Sequence, residues 1–320
     1  MRVLRLALPL LAGGLAFAQT TRVQELTTST FDFEGRPVQG PQYVVTKTNG
    51  VVDEAMLLPS PSTRLAPRER IEERIVRDDA SGRVVEQIRW SYDADGRPLP
   101  PEKTRIEETR RNGASTIVTT TWVGDVNQRF ELRERATTER VVTEGKERAT
   151  TTVERPTANA RLQVVEKQEL TGTRSEAESR QEVVIYQKDV SGNFTPARRR
   201  VKETQGQGER VREVTTEYEA ASTGRMQFAS RTESDIERAP DGSERRQVAV
   251  YGVVAPGGVA DPNRPQLREQ QLIERQAAAN RGYVETFSIR RPAPSEPHRL
   301  GEFTRISETV CQGECIAPQN

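Results

Sequence analysis

Residues 115–122, Ser-Thr-Ile-Val-Thr-Thr-Thr-Trp, are nearly all β-branched or aromatic, and so is the run Val183 to Tyr186. Such runs fit a pleated, half-buried surface. Two sets of turn signals bracket them. One set is Asp93 to Gly96, Asp125 to Asn127, Asp189 to Asn193 and Ser222 to Gly224. The other is Ser81-Gly82, Asn112-Gly113, Glu144-Gly145, Gly206 to Gly208 and Asp241-Gly242. Turns alternating at both ends of short strands, about every 16 residues, predict an up-and-down antiparallel meander. The segments Arg68 to Asp78 and Gln266 to Ala279 are rich in Glu, Arg and Gln, and helix is the rival there. They are read as strands, because the second is entered by Asn263-Arg-Pro-x-Leu267, matching Gly96-Arg-Pro-Leu99.

A period of 32 residues organises the chain. Trp90, Trp122, Glu154, Tyr186 and Tyr218 recur at that spacing, and Tyr251 and Phe287 follow at slightly longer steps. Each of the first five is followed at a constant offset by a turn position (Gly96, Gln128, Ala160, Gly192, Gly224). Then comes Pro98, Phe130, Leu162, Phe194 or Met226, and after it always a base: Lys103, Arg135, Lys167, Arg199 and Arg231. Each repeat reads as two strands, which gives an all-β, extended meander of two-stranded repeats in a single-layer or rolled sheet.

Hairpin register follows from the spacing. A turn centred on residue 126 sets Trp122 opposite Phe130, and the same offset pairs Trp90 with Pro98, Tyr186 with Phe194 and Tyr218 with Met226. Opposed residues share a face of the sheet. Trp90, Trp122, Phe130, Tyr186, Phe194, Tyr218, Met226 and Tyr251 are therefore expected on one face near the Asp/Gly turns, as a structural stripe or a binding platform. Thr119, Thr121, Glu131 and Arg133 are expected on the other face. A β-bulge would break this parity, and the longer step to Tyr251 predicts one there.

The N-terminus has Arg2 and Arg5, an apolar run from Leu6 to Leu15, and Ala16-Phe17-Ala18, the order of a secretory signal peptide. The expected organisation is a signal peptide at 1–18, an irregular β segment with a Pro-rich linker at 19–66, a repeat domain at 67–310 and a tail at 311–320. A Gly/Pro insertion runs from Pro256 to Pro265. Cys311 and Cys315 flank turn residues and are expected to form a disulfide loop in an oxidising compartment.

The chain is 33% hydrophobic and 30% charged with a formal net charge of +1, too balanced for a nucleic-acid partner. With 2 Cys and 1 His, neither a zinc site nor a Cys-His or Ser-His-Asp apparatus is expected. His298 lies in a Pro-rich context read as a loop. Asp79, Asp93, Asp95, Asp125 and Asp189 sit near turns, where turn capping explains them better than calcium. No catalytic residue, metal or cofactor is expected.

A membrane barrel needs one face of each strand continuously apolar. Arg133, Arg135 and Glu139 occupy one parity and Glu134 and Arg140 the other, and the chain ends Ala-Pro-Gln-Asn320 without a closing aromatic. The mature chain is therefore expected not to span a membrane. Locally, Ser91-Tyr-Asp-Ala-Asp-Gly-Arg97 resembles the core of YD (RHS-type) repeats, which implies an exported β-repeat protein. The expected role is non-enzymatic, structural or interacting, in the periplasm or secreted, with an envelope or extracellular partner. The alternative is binding of a glycan or lipid-like ligand through the aromatic stripe.

Overall fold

The computed structural model describes residues 21–48, 51–59, 65–125, 127, 129–252, 265–278, 281–293, 296–313 and 315. The signal peptide expected at 1–18 and the stretch 253–264 lie outside them. The strands are β1 (Thr21–Phe31), β2 (Pro37–Thr48), β3 (Val51–Pro59), β4 (Leu65–Asp79), β5 (Gly82–Ser91), β6 (Glu102–Arg111), β7 (Ala114–Gly124), β8 (Phe130–Thr143), β9 (Lys146–Pro156), β10 (Leu162–Arg174), β11 (Glu178–Lys188), β12 (Phe194–Gln207), β13 (Arg210–Ala220), β14 (Met226–Arg238), β15 (Glu244–Gly252), β16 (Gln266–Ala277), β17 (Tyr283–Arg290), the short β18 (Pro292–Ala293) and β19 (Glu296–Leu300), and β20 (Thr304–Gly313). His298, expected in a loop, falls on the small β18–β19 hairpin.

Each long strand pairs antiparallel with the next. β20 pairs with β17, and β1 with β20, from Gln24 opposite Gly313 to Thr30 opposite Ser307. The meander is thus all-β and antiparallel as expected, but it is not an open or loosely rolled sheet. It closes into an 18-stranded barrel. β1 to β3, expected to be irregular, and Cys311, expected in a tail, all belong to the wall.

Closure also overturns the expectation that the chain does not span a membrane. A closed barrel pairs its backbone groups between strands and leaves no edge, which is the form in which strands cross bilayers. The expectation failed because each strand was read alone, whereas closure depends on β1 meeting β20. In the barrel, charges are placed against partners on neighbouring strands, as in Arg180–Glu203 at 2.8 Å, Arg199–Glu182 at 2.8 Å and Lys202–Glu213 at 3.1 Å.

The two barrel ends differ. At one end the connections are short. Asn112-Gly113 and Glu144-Gly145 have positive φ at both positions (43° and 80°, 48° and 75°), the conformation that matches strand twist in a two-residue hairpin. At the other end a longer loop recurs. The Asp93 amide bonds the Arg97 carbonyl, and Gly96 reaches φ 76°. The Asp93 carboxylate then accepts the amides of Asp95 and Arg97. Asp32, Asp125 and Asp189 repeat the arrangement.

This loop centres one residue later than expected. Trp122 therefore lies opposite Leu132, Tyr186 opposite Pro196 and Tyr218 opposite Phe228. Phe130, Phe194 and Met226 instead face Gly124, Lys188 and Ala220. The shift is two residues, so the face of each side chain is kept. A β-bulge follows beside Trp122, Tyr186, Tyr218 and Tyr251, not at Tyr251 alone.

Chirality tells the inner wall from the outer. In an L-polypeptide sheet, a residue facing the viewer on a rising strand turns its N–H and C=O to the right. Gly124, on the Trp122 face of β7, donates to Pro101 on the β6 side. Seen from that face with the long loops upward, the strand order therefore runs right to left. Along this order a row of partners, Thr150, Glu169, Val184, Arg199, Tyr218 and Phe228, climbs from the short-turn end to the loop end. Right-handed twist makes barrel strands lean up to the right when seen from outside, so a perpendicular row climbs leftward. The two directions agree only if the Trp122 face is the outer wall.

The seam can be tested directly. Thr28 and Thr309 lie opposite each other with their hydroxyls 3.0 Å apart. With Cys311→Ser and Cys315→Ser as background, the pair Thr28→Cys and Thr309→Cys should oxidise within one chain and speed its migration on non-reducing gels. An open sheet would leave both thiols titratable.

Candidate functional site

Two surfaces could carry function, the lumen and the outer rim near the long loops. The inner wall has two sides. On β8 to β13 it is charged and paired: Arg140–Glu147 at 2.6 Å, Lys202–Glu213 at 3.1 Å and Arg200–Glu217 at 2.7 Å. A cavity of about 610 Å³ opens there toward the short turns, lined by Arg140, Glu147, Gln181, Lys202, Thr204 and Glu213 among others. On β14 to β17, β20 and β1 to β4 the same wall carries Ile236, Val248, Ile273, Phe287, Cys311, Leu26, Tyr43, Met56 and Ile71. Ile236 and Cys311 are almost fully buried. Cys311 is joined to Cys315 by a disulfide across a Cα separation of 6.1 Å.

The outer rim carries the aromatic residues. Trp90, Trp122, Tyr186, Tyr218 and Tyr251 share the outer face at one level, with Phe130, Phe194, Met226 and Phe228 beside them. They do not line the lumen. Phe228 is buried against Tyr218, edge to face at 6.4 Å, whereas Phe130 is exposed. Directly opposite each aromatic on the preceding strand stands a base: Arg70 by Trp90, Lys103 by Trp122, Lys167 by Tyr186, Arg199 by Tyr218 and Arg231 by Tyr251. Arg135 stands opposite Glu154, where the aromatic is missing. The Arg70 guanidinium lies 5.1 Å from the Trp90 ring, that of Arg199 5.4 Å from Tyr218, and the Lys167 ammonium 4.6 Å from Phe194. Cation–π contacts of this kind contribute about 0.5–1 kcal/mol each when exposed. The sequence showed aromatics and bases at fixed offsets, and their opposition is set by the register of the short-end turns, as across Asn112-Gly113 between Lys103 and Trp122.

Below this rim the outer wall is a lattice of ion pairs, including Arg70–Asp53 at 2.6 Å, Arg105–Glu107 at 2.8 Å and Arg212–Glu233 at 3.0 Å. Exposed pairs each contribute only about 0.2–1 kcal/mol. Among the described residues no group of three or more His, Cys, Asp or Glu side chains could hold a metal ion.

No family model matches the chain, and no curated protein matches it in sequence. Solved structures similar in form include a triple mutant of the Rhodopseudomonas blastica porin, 9% identical over 92% of this chain and 98% of that one, TM-score 0.48. A second mutant of that porin has the same identity and coverages and a TM-score of 0.47. Likeness at this level transfers no function.

Two outcomes follow. Trp122 is half-buried among Lys103, Leu132 and Thr120, and Trp122→Ala should cost about 1–3 kcal/mol, less than a full core truncation. Thr119→Ala, on the inner wall, should leave stability nearly unchanged. Equal denaturant midpoints for the two variants would show that the rim is not structural. In the β1–β2 loop, the Arg36 amide above all, with the Arg36 side chain and the Glu34 amide, holds the Asp32 carboxyl below its ordinary range. The stabilisation is therefore present above the ordinary carboxylate pKa and fades as pH falls through the lowered one. Asp32→Asn should flatten that acid limb in a pH series of melts, and an unchanged limb would assign it to other groups.

Proposed function

We propose that the chain is a non-enzymatic β-barrel of the cell envelope, seated in the outer membrane, whose polar lumen lets small hydrophilic solutes pass. The observation that carries this reading is the seam between β1 and β20, which turns the meander into a tube with no free edge. The paired charges of the inner wall over β8 to β13 support it, because a charged wall holds water. The signal peptide expected at 1–18 and the disulfide fit export. The 32-residue period is read as a hairpin unit that brings one aromatic and one base to the outer face. The outer wall departs from the continuous apolar band usual in spanning barrels, since ion pairs lie below the rim.

The mature protein, refolded in detergent and added to a planar lipid bilayer, should give discrete conductance steps that grow with salt. Lys202→Glu removes a lumen base and should move the reversal potential in a salt gradient toward cation preference. Protein that stays water-soluble without detergent and gives no steps would overturn the channel reading.

A further inference from the structure

The geometry points to the outer rim as a docking surface for the phosphate layer of an anionic phospholipid bilayer, with the bases bonding phosphates and the aromatics seated among the headgroups. This rests on the reading of the chain as an envelope barrel.

The first ground is placement. From β4 to β15 a base and an aromatic stand opposite each other on the outer face on every second pair of strands, Glu154 alone replacing an aromatic. Strand pairs two apart are spaced by roughly 10 Å, on the order of the separation of neighbouring lipid headgroups. Amphipathic rings favour a membrane–water boundary, and a base near an anionic surface is drawn to it.

The second ground is charge. Arg70, Arg199 and Arg231 each hold a carboxylate. The three consecutive bases between them, Lys103, Arg135 and Lys167, have no ion pair among the described residues. Arg135 and Lys167 are exposed, and Lys167 lies over the Phe194 ring with Lys188 5.5 Å from the same ring. This quarter of the rim is therefore net positive beside aromatic faces, on a wall where most bases are neutralised. The third ground is the loop end above it, where Val190 is fully exposed and Leu99 nearly half exposed.

The chain has only two tryptophans, Trp90 and Trp122, and both sit in the rim, so their emission reads docking directly. The full mature protein is mixed with vesicles of neutral phosphatidylcholine alone or with added phosphatidylglycerol. Anionic vesicles should shift tryptophan emission to the blue, brominated acyl chains should quench it, and partitioning should exceed that to neutral vesicles. Lys103→Gln, Arg135→Gln and Lys167→Gln together should weaken partitioning to anionic vesicles on the order of 100-fold at low salt. Arg111→Gln, Lys146→Gln and Arg148→Gln remove the same charge from the same face at the short-turn end, where no aromatic stands opposite, and should change it little. Circular dichroism checks that both variants keep the β fold, and single replacements stand in for a triple variant that does not.

Equal losses in the two triple variants, or none in the first, would overturn rim docking in favour of diffuse charge attraction. Conductance in neutral bilayers without any preference for anionic vesicles would sink this inference and leave the channel reading standing. Wild-type protein that neither conducts nor partitions to any vesicle would overturn both.

Discussion

Everything in this molecule depends on one set of backbone hydrogen bonds, those between β1 and β20. An antiparallel meander without them ends in two strands with unpaired amides and carbonyls, a template for aggregation. With them, each strand has two neighbours and the inside is separated from the outside. The Thr28–Thr309 contact and the buried Cys311 lie on this seam. The disulfide to Cys315 ties the residues after β20 back to it.

The wall is thin, and its stability is distributed. Among the described residues large buried side chains are few, Ile236 and Phe228 among them. In their place stand cross-strand pairs worth about 0.2–1 kcal/mol each. Arg suits this role because its planar fork meets carboxylates on the next strand, as Arg275 does with Glu285 at 2.6 Å. The same lattice leaves a few bases unmatched: Lys103 and Lys167 stand opposite rim aromatics, and Arg135 stands between them opposite Glu154.

Hairpin geometry explains why the rim is continuous. Each long loop keeps residue parity between its strands, and the bulge beside the aromatic reverses it. A two-residue turn at the other end reverses it again, so the next aromatic returns to the outer wall after 32 residues. Where the β14–β15 connection is a longer turn, closed by Ala239 and Ser243, the second reversal is missing and Tyr251 comes one residue later. The odd step in the sequence thus records a change of turn type rather than a lone bulge.

The amino-acid order by itself determined the all-β class, the alternating turns, the disulfide pair and the common face of Trp90, Trp122, Phe130, Tyr186, Phe194, Tyr218 and Tyr251. These follow from local conformational preference and from parity, which neighbouring residues carry. It did not determine closure, because the pairing of β1 with β20 joins residues from opposite ends of the chain and leaves no mark in either segment. Nor did it determine which face is the lumen, because both faces carry Arg and Glu and only the twist of the closed sheet tells them apart. The register of each hairpin lay between the two. The Asp and Gly signals located the loops, while the loop-closing bond from the Asp93 amide to the Arg97 carbonyl and its counterparts moved the centres by one residue.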